Sequence, residues 1–237
     1  MLGLAIVSVL SFSTPGGARV SVPFSVHAAV LSADGADGYS FTTADRSVEV
    51  AADTQNVSGN LRTVFWPTDS RPLADELTCA TWTGATSGEA QQGAALRIST
   101  TSSGSVRAIT VTRNIYLDPS GIFNVHLWNN ASNQMRLIAE TDLRAAFSRP
   151  PERSGGPRLV RPLPWRLCAR VSGSTLEFKV WQTEELEPAW GDPGQGASVQ
   201  LPAEAPAEGY AGWYIGHLEP GTTASFAELA APDVPAR

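Results

Sequence analysis

The sequence predicts an all-β protein built as a two-sheet antiparallel sandwich, and three observations carry that prediction. Short alternating runs of apolar and polar residues recur between clusters of Gly, Pro, Asn and Asp, the rhythm of strands and turns. Helical periodicity is confined to one stretch, 142–147, with Pro150 and Pro151 close behind it. The 237 residues are 42% hydrophobic, enough to fill one inter-sheet core, and sandwiches of roughly 200–250 residues commonly form one unit.

From the N-terminus, 2–12 is an uncharged apolar run followed by small residues up to Ala18. An apolar stretch of about 7–15 residues with small residues at −3 and −1 is a secretory pattern. Gly16 and Ala18 meet it, and Val26 and Ala28 meet it again. The expectation is a leader over 1–18, cut as late as 28, although the usual preceding positive charge is missing. The competing reading is a first strand, since Ile6, Val7 and Val9 are β-branched. The run is too short to cross a bilayer as a helix. One domain is expected over 30–231, with a frayed tail over 232–237.

Within that domain the clearest strands are 60–66, 94–100, 107–115, 122–128, 135–141, 165–171, 175–182, 212–217 and 224–229. Weaker candidates lie at 39–43 and 47–52. Nine to eleven strands suit a large jelly roll better than a seven-stranded immunoglobulin sandwich. Two long segments, 148–164 and 184–207, are rich in Pro and Gly and show no clear strand period.

Charge narrows the partners. The net charge is −6 and the basic residues are scattered, so the clustered cations that nucleic acid requires are missing. All but one of the 17 basic residues are Arg, Lys179 being the exception, a bias that fits a GC-rich bacterial genome. Charged residues total 17%, below the usual quarter or so, leaving the surface to uncharged polar groups as in many secreted β proteins.

Cys79 and Cys168 are the only cysteines, and each sits in a strand-like run. An even pair in an exported chain is normally a disulfide; two buried free thiols are the alternative. A C-x-x-C motif is absent, so thiol redox catalysis has no support.

The most specific pattern is 165–190, WRLCARVSGSTLEFKVWQTEELEPAW, with Gly212-Trp213-Tyr214-Ile215-Gly216 further on. It resembles the C-terminal strands of bacterial laminin-G-like, concanavalin A-like jelly rolls. The resemblance covers roughly the last 70 residues. It implies a hairpin beside the last strand and structural roles for Trp181 and Trp190. The family includes lectins, carbohydrate-binding modules, glycanases, adhesion modules and phage tail domains, so a glycan or cell-surface polymer becomes the expected partner.

Cleavage of a glycan needs two carboxyl groups flanking the bond. The nearest strand pattern places Glu140 and Asp142 on one face, but Arg144 and Ala145 occupy the two positions where a third carboxylate would stand. Glu184, Glu185 and Glu187 fall in a loop, and no nucleophile elbow, zincin motif or phosphate loop appears. No metal set is predicted: His27, His126 and His217 lack ligand spacing, and Asp34-Gly-Ala-Asp37-Gly reads more simply as turns than as a calcium loop. The Asn56 and Asn130 sequons are read as chance.

Binding residues are more legible. Along 121–130, Phe123, Val125 and Leu127 alternate with Asn124, His126 and Trp128. If the first set faces the core, the second offers an amide, an imidazole and an indole to a sugar. Glu177 and Lys179, with Trp181, alternate likewise against Leu176, Phe178 and Val180, and would join the same groove if both strands share a sheet. The expected function is a secreted or envelope-associated, non-catalytic glycan-binding module. A structural or adhesion module without a sugar site is the alternative, and a hydrolase ranks third.

Overall fold

The protein is described by a computed structural model that covers residues 24–32, 38–54, 60–86, 90–115, 121–132, 134–149 and 159–231. Two seven-stranded antiparallel sheets pack face to face as a jelly roll. The first runs β1 (Val26–Ser32), β4 (Arg62–Pro67), β15 (Tyr210–Gly216), β6 (Gln91–Thr100), β7 (Val106–Arg113), β8 (Ile122–Asn129), β9 (Gln134–Asp142). The second runs β14 (Gly196–Gln200), β13 (Thr175–Gln182), β12 (Trp165–Ser172), β5 (Glu76–Ala85), β16 (Thr223–Ala230), β3 (Ser47–Ala52), β2 (Tyr39–Ala44).

The core between the sheets follows from period-two alternation. Phe123, Val125 and Leu127 of β8 enter it from one side, and Leu176, Phe178 and Val180 of β13 from the other. Phe65 lies between Trp213 and Phe226, with ring centroids 5.5 and 5.3 Å away. Fully burying one such side chain contributes roughly 1.5–3 kcal/mol, so this aromatic stack is a principal bond between the sheets.

The predicted helical turn forms as α1 (Arg144–Phe147), which drops Phe147 into the core against Trp165. Three expectations are corrected. The 184–207 segment contains β14, an edge strand whose weak period reflects only partial burial; Gly196 lets it approach β13 closely, since a Cβ there would meet the Phe178 carbonyl oxygen at 2.0 Å. The 148–164 segment carries a two-stranded ribbon, β10 (Ser148–Arg149) with β11 (Leu159–Val160). The first strand of the sandwich, β1, starts at Val26, before residue 30, and pairs with β4 from Val26 to Ser32. A cut after Ala18 would leave β1 whole, whereas one after Ala28 would remove its first half. The apolar run over 2–12 and the tail over 232–237 lie outside the described residues.

Cys79 and Cys168 form the disulfide. They face each other directly across β5 and β12, on the outer surface of the second sheet, packed with Trp181. Among the described residues, no helix is long and apolar enough to cross a membrane.

Candidate functional site

The outer face of the first sheet is concave, and small residues make it so. Gly93 and Ala95 of β6, Gly212 and Gly216 of β15 and Ala108 of β7 occupy its floor. A Cβ on Gly212 would meet the Phe65 carbonyl oxygen at 2.2 Å, and one on Gly93 the Val111 carbonyl oxygen at 2.5 Å. With so little bulk in its middle the sheet curls until β1 reaches the end of β8. Asn130, just beyond β8, donates through Nδ2 to the Val30 carbonyl of β1 (3.1 Å), although four strands separate β1 from β8. Its Oδ1 accepts from the Val106 N–H at 2.6 Å, so the Asn130 side chain is a structural clasp.

The curl encloses a hollow of about 210 Å³. Ladder register explains its lining. Tyr214, Gly93, Thr112 and Asn124 lie in one row across the sheet, with Ala95, Thr110 and His126 in the next and Ala108, Trp128 and Met135 in a third. Arg62, Gln91 and Asn114 close one end, joined by His217 just past β15. Asn124, His126 and Trp128 are thus brought together as the alternation predicts.

Their environments differ. Trp128 is 4% exposed and donates from Nε1 to Thr110 Oγ1 (2.9 Å), packed among Leu31, Val64, Trp66 and Tyr214. It is a wall of the hollow, not an open stacking plate, covered by side chains that the curl gathers; most of the 148–164 segment, 150–158, lies outside the described residues. Arg62 lies over its ring, 5.8 Å from the centroid. Asn124 is 9% exposed, and its buried Oδ1 has no hydrogen-bond partner among the described residues. His126 makes no hydrogen bond among the described residues; burial, helped by the nearby Arg62 charge, pushes its pKa down to about 4. The imidazole is therefore neutral near pH 7, able to donate at one nitrogen and accept at the other. Tyr214 donates its hydroxyl to Gln91 Oε1 (2.8 Å), and Gln91 Nε2 donates to the Arg113 carbonyl (2.7 Å), which fixes the floor.

Glu177 and Lys179 are not part of this site. β13 belongs to the second sheet, so its outer face points away from the hollow. Lys179 is buried under Trp190, 4.4 Å from the ring centroid, and is held by the Pro188 carbonyl (2.9 Å) and the Glu187 carboxylate (2.7 Å). Glu177 pairs with Arg170 at 2.7 Å, and Arg170 also lies over Trp190. These residues brace the disulfide face, in line with the structural roles implied for Trp181 and Trp190.

Sequence reasoning missed Arg62, Gln91, Asn114, Met135, Tyr214 and His217. Tyr214 was recoverable, because Trp213 and Ile215 flank it as core residues and alternation turns it outward. The others stand at strand ends, where period-two reasoning loses its phase. Glu140 is exposed, and the Asp142 carboxylate is engaged by the Arg144 N–H (3.0 Å) and Nε (2.9 Å). Among the described residues, no three of His, Cys, Asp and Glu come together as metal donors; Asp34 and Asp37 lie outside those residues.

No family model matches the chain, and no curated protein matches it. Among solved structures it is similar to the carbohydrate-binding module CBM66 from Bacillus subtilis, at 11% identity over 86% of this chain and 94% of that one, with a TM-score of 0.47. A Bacillus subtilis protein of unknown function with a galectin-like fold gives 12% identity, 85% and 87% coverage and a TM-score of 0.48. The CBM2 module of the evolved Dit protein of Lactobacillus casei BL23 phage J-1 gives 8% identity, 89% and 92% coverage and a TM-score of 0.47. Likeness at this level concerns the arrangement of strands and carries nothing about ligand or activity.

Proposed function

We propose that this chain is a non-catalytic module that binds a glycan in the hollow of its concave sheet, and that it works outside the reducing cytosol, secreted or in the cell envelope. The observation that carries the reading is Asn124 Oδ1, a buried acceptor without a partner among the described residues, in a hollow that also presents the imidazole of His126. Leaving such a group unsatisfied costs about 1–3 kcal/mol. A sugar hydroxyl supplies the missing donor while accepting from a neighbouring group. The Cys79–Cys168 disulfide supports the compartment, since such bonds persist where thiols are not kept reduced.

Screening the disulfide-bonded protein on a glycan array tests this. Binding to at least one glycan is expected, weakened about tenfold or more in His126→Ala, the loss of a buried polar contact. An array on which the folded protein binds nothing would sink the idea. A second reading, a structural or adhesion module without a sugar site, draws on Met135 and Leu137, which are 50% and 49% exposed on the edge strand β9 beside the hollow. An empty glycan array would favour that reading.

A further inference from the structure

We infer that the hollow selects a sugar bearing a carboxylate, a uronic acid residue, through the guanidinium of Arg62; this rests on the glycan reading above. Arg62 is a pinned cation with an unspent edge. Its Nη1 donates to Ser32 Oγ (3.0 Å) and to the Asn60 carbonyl (3.2 Å), and its Cζ lies over the Trp128 ring, 5.8 Å from the centroid. Nε and Nη2 make no hydrogen bond among the described residues. Those two N–H groups form the side-on fork that matches the two oxygens of a carboxylate.

Other arginines of the fold are differently employed. Arg136, Arg144, Arg161, Arg166 and Arg170 each pair with a carboxylate. No described carboxylate pairs with Arg62, and none lines the hollow. Among the described residues its charge is therefore uncompensated where a ligand would lie, and it adds to burial in pushing the His126 pKa down. The molecule as a whole carries −6 and repels polyanions, so the preference resides in this one contact. At about 210 Å³ the hollow is smaller than clefts of roughly 300–1,000 Å³ that engulf drug-sized ligands. It fits one ring, with the carboxylate on Arg62 and a hydroxyl on Asn124.

The test is an NMR titration of the disulfide-bonded protein that follows the Trp128 indole N–H and the Asn124 side-chain amide. The probes are glucuronate and galacturonate, glucose and galactose, and glucose 6-sulfate. Both uronates, or one of them, are expected to bind about tenfold or more tightly than the neutral sugars, as a charge-assisted pair requires. They should also bind more tightly than the sulfate, whose tetrahedral oxygens fit the fork less well. In Arg62→Gln, uronate affinity should fall to that of the neutral sugars.

Equal affinity for uronates and neutral sugars overturns the inference but leaves the glycan reading standing. So does tighter binding of the sulfate, or a uronate preference that survives in folded Arg62→Gln. If no sugar moves either signal and the glycan array is empty, both readings fall together. Should Arg62→Gln fail to fold, the wild-type comparison of charged and neutral sugars decides alone.

Discussion

A single imidazole carries two readouts of the concave face. His126 has its pKa pushed down to about 4 by burial first and by the Arg62 charge second. Its NMR titration should show a midpoint near that value, and the midpoint should rise in Arg62→Gln as the repelling cation is lost. An unchanged midpoint would place Arg62 too far away to matter. The sign for stability follows by linkage. The unfolded chain protonates His126 near its ordinary 6.5 and the folded chain only near 4, so the unfolded state holds the extra proton between them. The contribution is fully present above about 6.5 and is lost as pH falls toward about 4.

At the scale of elements, two devices hold the sheets in place. β5 and β12 are central in the second sheet, and the Cys79–Cys168 bond ties them across 89 residues of chain. On the chain-entropy account, closing a loop of that size stabilises by roughly 4 kcal/mol. Urea unfolding of the Cys79→Ser/Cys168→Ser double variant should show a loss on that order, and a shift of a few tenths would mean that sheet packing dominates. In the first sheet, Gly212 is where β15 passes close to β4. Gly212→Ala should cost about 1–3 kcal/mol by overpacking, because its Cβ would meet backbone that cannot move aside. A thermal melt identical to wild type would show that the curl tolerates bulk.

For the whole molecule, a buried couple at one end of the sandwich sets the alkaline side of stability. Arg97, at a bulge of β6 with φ of 48°, sends its guanidinium to the carbonyls of Ala74, Gly173 and Pro206 and so draws three loops together. Its N–H donates to Glu76 Oε2 at 2.7 Å. Burial nevertheless pushes the Glu76 carboxyl up to about 8, outweighing the Arg97 hydrogen bond and charge. Because the folded pKa lies above the unfolded 4.5, the contribution of neutral Glu76 is complete below that value and is lost as pH rises through about 8. Because His126 offsets this loss below about 6.5, urea midpoints should decline mainly between about pH 6.5 and about pH 8.5, less steeply in Glu76→Gln. A decline of equal slope in the variant would move the cause elsewhere. With His126 acting in the opposite direction, these two groups together favour mildly acidic to neutral conditions.

The sequence by itself determined the class of fold, most of the strands and the outward set Asn124, His126 and Trp128, because period-two alternation is written residue by residue. It also supplied the cysteine pair, whose partnering needs only parity and an oxidising setting. It could not locate β14, whose hydrogen bonds come from β13 and whose side chains bury little. Nor could it assign sheets: β8 and β13 show the same alternation, yet Asn124 faces a hollow while Glu177 and Lys179 brace the opposite side of the molecule. Only the tertiary structure decided that, by curling one sheet over its small residues until Arg62 of β4 came to rest on Trp128 of β8. A contact across so many strands depends on the curvature of the whole sheet, which no local pattern encodes.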